Sequence, residues 1–416
     1  MNEIPHIAPL ERSEGVAQAT ALFRRTFDVE PSGVWGSPGR VNLIGEHTDY
    51  NAGLCLPIAL PHRTFVAIRP RTDTTVRVVS SMTPDSVDRT DLEGLRAGGV
   101  DGWAAYPVGV AWALRREGFP SVRGFDAAFV SCVPLGSGLS SSAAMTCSTA
   151  LALDGVFSLG CAETDEGRIR LIQAAMSAEN DMAGASTGGL DQSASLRATA
   201  GHALLLDFRP ELSAMDSARQ EPFDLERFGL ELLVVDTRAP HQLNDGQYAQ
   251  RRSACESAAK LLGVANLRVL ADRILSSEDR QGALEEVLNR LPDATTRKRV
   301  RHVITEIGRV PRFIEAFGRG DVDEAARLFD ASHQSLADDY EVTVPELDVA
   351  VEVARRMGAH GARMTGGGFG GSIIAMVDKG ESRHVAEAIA QEFATRGFRQ
   401  PQYLTAVASA AGCRED

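Results

Sequence analysis

VPLGSGLSSSAAM, residues Val133–Met145, is the stretch on which the reading of this chain turns. An apolar, β-rich run (Phe125–Val133) leads into Pro134, two spaced glycines, three serines and an alanine-rich helical run. Gly136 and Gly138 permit tight backbone turns that bring N–H groups against a ligand. Ser140, Ser141 and Ser142 stand where a helix begins, adding hydroxyls, free N–H donors and the positive end of the helix dipole. That is a phosphate cradle built without lysine. The same residues would also make an ordinary strand-to-helix turn with a serine N-cap, so other segments must decide.

Three other blocks bear on that choice. GRVNLIGEHTDYNAG (Gly39–Gly53) packs Arg40, Asn42, Glu46, His47, Asp49, Tyr50 and Asn51 around apolar Leu43 and Ile44. Acids, amides and an imidazole at this density match the paired donors and acceptors of a sugar. Gly45 and Gly53 suggest a turn that aims them into one cavity; a polar surface loop is the plainer alternative. A metal reading of Glu46-His47 lacks the partner that an HExxH motif supplies. In SAENDMAGASTGGLDQSAS (Ser177–Ser195), Glu179 precedes Asp191 across a small, glycine-rich stretch, so the chain can fold back and join both carboxylates. Asp191 stands equally well placed as the cap or the first-turn acid of a helix. TGGGFGGS (Thr365–Ser372) contains GxGxxG, but the β-type run SIIAMV follows where a dinucleotide fingerprint demands a helix. A tight hairpin or a close approach to another loop fits better.

Composition sets outer limits. A chain of 416 residues, 44% hydrophobic and 24% charged, predicts a soluble two-domain protein. Its net charge of −13 argues against nucleic acid or anionic membrane as partner. No apolar run reaches a membrane span, and the opening MNEIPHIAPLERSEG has no apolar core, so no secretory leader is expected. Six scattered cysteines (Cys55, Cys132, Cys147, Cys161, Cys255, Cys413) read as reduced thiols of a cytoplasmic protein. None of the three lysines lies in a glycine loop, which excludes a P-loop NTPase, and the VAIK, HRD and DFG motifs of protein kinases are absent.

Periodicity predicts an opening amphipathic helix carrying Val16, Thr20, Phe23 and Phe27. It predicts strands at 33–40, 55–69, 75–80, 125–133, 202–208, 231–236, 362–365, 372–377 and 403–407. Helices are expected at 103–116, 143–153, 165–181, 250–262, 283–290, 321–336, 345–358 and 382–396, with Pro345 in a first turn. The polar stretch 209–222 is the expected junction, dividing the chain into domains 1–212 and 213–416. The second half, with strands and helices alternating around a short sheet, suits an α+β sandwich.

The GRVNLIGEHTDY, GLSSSA and TGGGFGG blocks, in this order, resemble the signature motifs of the GHMP small-molecule kinases, and the first resembles the galactokinase signature. The resemblance implies an α+β fold of two domains, an N-terminal one like the second domain of ribosomal protein S5 and a ferredoxin-like C-terminal one. It implies phosphorylation of α-D-galactose at its 1-hydroxyl with ATP and Mg²⁺, giving galactose 1-phosphate for the Leloir pathway. Carried over by position, Gly136, Ser137, Gly138, Leu139, Ser140, Ser141 and Ser142 would hold the triphosphate, with Trp103 and Tyr106 near the adenine. Ser142 and Glu179 would hold Mg²⁺. Arg40 and Asp191 would be the catalytic pair, and Glu46, His47, Thr48, Asp49, Gly188, Asp191 and Tyr248 would contact the sugar. The third motif would steady the phosphate loop. Galactose and ATP are then the partners, the chain acting as a monomer, with a dimer as the alternative.

Phosphoryl transfer has a loose transition state, so Arg40 would neutralise charge while Asp191 orients the hydroxyl and takes its proton late. One departure stands out. Some family members carry a second arginine just before the histidine corresponding to His241; here Pro240 occupies that place and Arg238 lies two residues earlier. The alternatives are an N-acetylgalactosamine or other sugar-1-kinase, and a galactose- and ATP-binding regulator without catalysis. Some such regulators lack a Ser-Ala pair after GLSS, and this chain keeps Ser142-Ala143. A NAD(P) oxidoreductase would need an acidic ribose partner about twenty residues beyond the loop, at a strand end, and none stands there.

Overall fold

The computed structural model describes residues 4–239 and 245–416. Along the chain, α1 (Arg12–Phe27) buries Leu22 and Phe23, then β1 (Gly33–Asn42) runs into the polar block. There follow β2 (Leu54–Cys55), β3 (Pro57–Pro70), β4 (Thr75–Ser80), β5 (Thr83–Asp91), α2 (Ala105–Arg116) and β6 (Phe125–Ser131). Next come α3 (Ser141–Phe157), α4 (Asp165–Ser177), α5 (Leu190–Arg197), β7 (His202–Asp207) and β8 (Ala218–Pro222). The second half holds β9 (Leu230–Asp236), α6 (Asp245–Leu262), α7 (Leu267–Leu275), α8 (Arg280–Asn289), α9 (Ala294–Gly318) and α10 (Val322–Ser335). It ends with α11 (Pro345–Arg356), β10 (Gly361–Thr365), β11 (Ser372–Asp378), α12 (Ser382–Arg396), β12 (Gln402–Ala406) and β13 (Cys413–Arg414).

Among the described residues the strands form three sheets. A six-stranded sheet runs β13-β1-β3-β6-β4-β5, a four-stranded one β10-β11-β9-β12, and a small one β2-β7-β8. Pairing is antiparallel except between β4 and β6. Five elements escaped the sequence reading, among them the short strands β8 and β13. β5 is a polar strand at the sheet edge with mostly exposed side chains, so it lacks an apolar alternation. α7 is short, and α9 carries Pro311 inside a run rich in arginine, which conceals an apolar face. Strand pairing crosses the 212/213 division twice: Leu206 of β7 pairs with Ala218 of β8, and Cys413 returns to Gly36. One apolar cluster likewise joins Val41, Leu43 and Ile44 to Phe313, Phe329, Ile374 and Met376.

Three turns are thereby brought to one place. β1 delivers the polar block at its end, β6 delivers the glycine-serine loop to α3, and the β10–β11 hairpin, closed by the Thr365–Ser372 pair, presents the third motif.

Candidate active site

Left-handed backbone shapes the glycine-serine loop: φ is +69° at Gly136, +75° at Gly138 and +62° at Ser140. Ser140 is the N-cap of α3 but makes no side-chain cap bond, and its buried hydroxyl has no hydrogen-bond partner. With the first-turn N–H groups of α3 lacking intrahelical acceptors, this is a donor-rich surface suited to anionic oxygens.

The third motif braces the loop from behind. A Cβ on Gly366 would lie 3.0 Å from the Gly138 carbonyl oxygen, and one on Gly371 3.0 Å from that of Ser137. Ser372 Oγ donates to the Ser137 carbonyl at 2.7 Å. Hairpin and close approach, offered as alternatives from sequence, both occur.

A cavity of about 340 Å³ opens between these turns and the polar block, within the usual range for a small-molecule site. Its walls include Arg40, Asp49, Ser142, Glu179, Asp191 and Tyr248. Arg40 Nε and Nη2 both donate to Asp191 Oδ1, at 2.8 and 2.7 Å, while Nη1 donates to the Gly138 carbonyl at 2.6 Å. One guanidinium therefore ties the acid to the phosphate loop. The cap reading of Asp191 does not hold: Gly189 is the N-cap of α5, and no side-chain cap bond forms there.

Glu179 lies in a π-turn (Ala178–Met182) that continues α4, which reopens the helix at this point. Its Oε1 accepts from Gln192 Nε2 at 2.7 Å and Thr146 Oγ1 at 3.2 Å. Burial and the nearby Asp191 push its carboxyl up to about 7. Asp49 is raised to about 6, by burial first and then by Asp191 and Glu46. A Cβ at Gly188 would press on Asp49 Oδ2 and turn that carboxylate aside, so Gly188 and Asp49 meet closely across the cavity.

Glu46 is buried, accepting from Asn42 Nδ2 at 2.9 Å and from the Gly366 N–H at 2.8 Å. Burial raises its pKa, opposed by Arg363 and Arg40. His47 holds a left-handed φ of +61°. Its Nε2 lies 3.0 Å from the Gly367 carbonyl, which can only accept, so Nε2 carries the proton and Nδ1 accepts from the Tyr50 hydroxyl at 2.8 Å. Tyr340 in turn lies 2.8 Å from Tyr50. Burial holds His47 neutral, at about 3.

Four expected ligand-contacting residues stand elsewhere. Thr48 is fully buried, donating to the Gly45 and Leu54 carbonyls. Ser137 turns its hydroxyl to the Pro134 carbonyl, Leu139 is buried with its carbonyl taking the Arg40 N–H, and Trp103 packs edge-on against Phe129. None of the four lines this cavity; they shape its walls. Pro240 and His241 lie outside the described residues. Arg238 is exposed and is not among the lining residues.

Residues missed from sequence include His302 and Glu306 on α9 and Arg363 on β10, all wholly buried beneath the polar block. The signal available was His302 and Glu306 at i, i+4 among apolar Val303, Ile304 and Ile307, a polar pair on a core face. Among the described residues, no cluster of three or more His, Cys, Asp or Glu suits a metal ion, and no helix is long and apolar enough to cross a membrane.

Comparison with known proteins agrees with this geometry. The family described as the galactokinase galactose-binding signature matches residues 21–70, the GHMP kinases N terminal domain residues 105–199, and the GHMP kinases C terminal residues 313–395. A galactokinase of Streptomyces coelicolor is 42% identical over 393 residues, spanning 94% of this chain and 96% of its own. The crystal structure of Lactococcus lactis galactokinase complexed with galactose is 30% identical, with a TM-score of 0.82 over 95% of this chain and 98% of that one. Methanococcus jannaschii mevalonate kinase, at 14% identity and a TM-score of 0.59 over 91% of this chain and 98% of its own, shares the fold. The chain belongs to the galactokinase family of the GHMP kinases.

Proposed function

We propose that this protein transfers the γ-phosphoryl group of ATP to the 1-hydroxyl of α-D-galactose, releasing ADP and galactose 1-phosphate. The observation that carries the reading is the Arg40 guanidinium, which touches Asp191 and the phosphate loop at once. A base fixed beside a triphosphate cradle lets one sugar oxygen meet one phosphorus with little lost motion.

In this reading Gly136, Gly138 and Ser140–Ser142 hold the triphosphate through backbone and hydroxyl donors. Glu46, His47, Asp49, Gly188 and Tyr248 fix the sugar. Both Arg40 bonds fall on Asp191 Oδ1, leaving Oδ2 to accept the hydroxyl proton as the new bond forms. Arg40 spreads the charge that develops on the transferred group.

Glu179 and the Ser142 hydroxyl are hard oxygen donors, and a buried acid raised to about 7 is one that a divalent ion would hold ionised. These two residues would hold Mg²⁺, which when bound would offset phosphate charge. The sugar signature and catalysis-ready pair favour an active cytoplasmic enzyme made of two lobes that meet at the cavity. A monosaccharide panel with ATP and Mg²⁺, read as ADP formed, tests this. Galactose should dominate. Preference for N-acetylgalactosamine would overturn the sugar assignment, and binding of galactose without ADP would leave the regulator.

A further inference from the structure

The turn that carries Glu46 and His47 has an unusual support. Gly45 at φ +95° and His47 at +61° flank Glu46 with left-handed backbone, which for a histidine is unfavourable by about 1–2 kcal/mol. Within the turn the Thr48 hydroxyl reaches the Gly45 carbonyl and Asn51 Nδ2 the His47 carbonyl, but Glu46 between them is held from outside. Glu306 on α9 accepts the Gly45 N–H at 2.9 Å and the Glu46 N–H at 3.4 Å through one oxygen, Oε1. From the same helix, His302 Nε2 donates to the Glu46 carbonyl at 3.1 Å, while its Nδ1 accepts from Ser335 at 2.9 Å. Both ends of one peptide residue are thus held by α9, while the Glu46 and His47 side chains line the cavity on the other side.

Glu306 is itself fixed. Its Oε2 takes Arg309 Nη1 at 2.7 Å, and its Oε1 also takes the Ser332 hydroxyl at 2.7 Å. Burial alone would raise this acid, but Arg309, Arg363 and His302 bring it down to about 2, so it stays an acceptor. An ionised carboxylate is the stronger partner for two N–H groups.

We propose that Glu306 is a positioning residue for the sugar: by gripping the backbone of Gly45 and Glu46 it sets where Glu46 and His47 point, and thereby governs sugar affinity without governing nucleotide affinity. This rests on the galactokinase reading above. The hydrogen bonds of Glu306 run to the sugar turn, Arg309 and Ser332, whereas the phosphate loop is braced by Ser372 and Gly371, so loss of Glu306 should fall first on sugar affinity.

The test is steady-state kinetics of the full chain with galactose and ATP varied in turn. Glu306→Ala should raise the galactose KM about tenfold or more while the ATP KM stays within about twofold. Glu306→Gln, which keeps an acceptor at Oε1 but turns an amide NH2 toward Arg309, should give a smaller rise of about threefold. Ser332→Ala removes one donor to Glu306 Oε1 and keeps the two backbone bonds, so it should raise the galactose KM less than Glu306→Ala does and leave the ATP KM within about twofold. Parallel rises in both KM values, or no rise in galactose KM for folded Glu306→Ala, would overturn the proposal. Should Glu306→Ala not fold, Glu306→Gln decides: the melting-temperature rise with galactose must shrink while that with ATP does not. Absence of galactose-dependent ADP formation in the unaltered protein is a different failure, that of the functional reading itself.

Discussion

The phosphate loop at 134–142 and the sugar turn at 42–51 line the same cavity, but the first is braced largely by close backbone approach of the 365–372 hairpin and the second largely by side chains from α9 and β10. In the phosphate loop, Ser137 closes on Pro134, and the glycines at 366 and 371 press backbone against backbone. The sugar turn instead leans on Glu306 and His302 from α9, and on Arg363 and Thr365 from β10, which bond the Asn42 carbonyl at 3.2 and 2.9 Å. Backbone-built cradles suit phosphate, whose three-fold oxygen display asks only for N–H donors. A sugar asks for specific donors and acceptors at set angles, and those angles need side-chain scaffolding.

Arg40 and Asp191 join the two turns, so removing the acid should have the largest effect. Asp191→Ala is expected to lower kcat about 10³-fold, the scale of a positioned general base, with the KM for ATP little changed. Near-normal turnover would mean that the proton leaves by another route. Next in size is a change confined to the phosphate side. Gly371 has φ +84°, and a methyl there would meet the Ser137 carbonyl at 3.0 Å. Gly371→Ala should raise the ATP KM roughly tenfold through strain of about 1–3 kcal/mol at the hairpin, and leave the galactose KM alone. A matching loss of galactose affinity would show the two turns to be mechanically coupled.

The contrast also explains what the sequence disclosed. The phosphate loop was legible because glycine, serine and helix-start chemistry are local: Gly136, Gly138 and Ser140 adopt the left-handed backbone their order implies. The hairpin of the third motif was legible for the same reason. In the sugar turn, Glu46 and His47 could be picked out as ligand-facing residues, but their supports could not. Glu306 lies 261 positions from Gly45, and α9 reads as a basic, proline-bearing run rather than as a buried helix. Thr48, Ser137, Leu139 and Trp103 carry their side chains into packing or backbone bonds rather than into this cavity. A motif position marks a residue that the site needs, and packing decides whether that residue touches ligand or carries its neighbours.

A pH change should act on buried groups on both sides of the cavity, on Glu179 beside the phosphate loop and, on the sugar side, on two histidines and Asp49. Burial holds His47 at about 3 and His302 at about 4. In the unfolded chain both titrate near ~6.5, so below that pH the unfolded state binds more protons and stability falls. At pH 5 each histidine is expected to cost about 2 kcal/mol relative to neutral pH. Asp49 acts in the opposite sense: raised to about 6, it favours the folded state as pH drops from about 6 towards ~4. The comparison of variant with parent is therefore the clean measurement. In His47→Asn, the decline in melting temperature from pH 7 to pH 5 should be shallower by one histidine's share. An unchanged slope would mean that His47 is protonated in the fold.

The smallest effect is expected at the position where this chain departs from some of its relatives. A second arginine near the transferring phosphate would share the charge that Arg40 carries. Arg238 is the nearest arginine in sequence to that place, but its side chain is exposed and lies outside the cavity wall. Its backbone N–H donates to Asp236 Oδ1 at 2.9 Å, and its φ is +51°. Arg40, by contrast, is 7% exposed and spans base and loop. Arg238→Ala should therefore keep kcat within about twofold, because a solvated charge outside the site adds little to transition-state stabilisation. A loss of tenfold or more would place Arg238 over the phosphates during turnover, and would require the segment after β9 to fold onto the site when both substrates are bound.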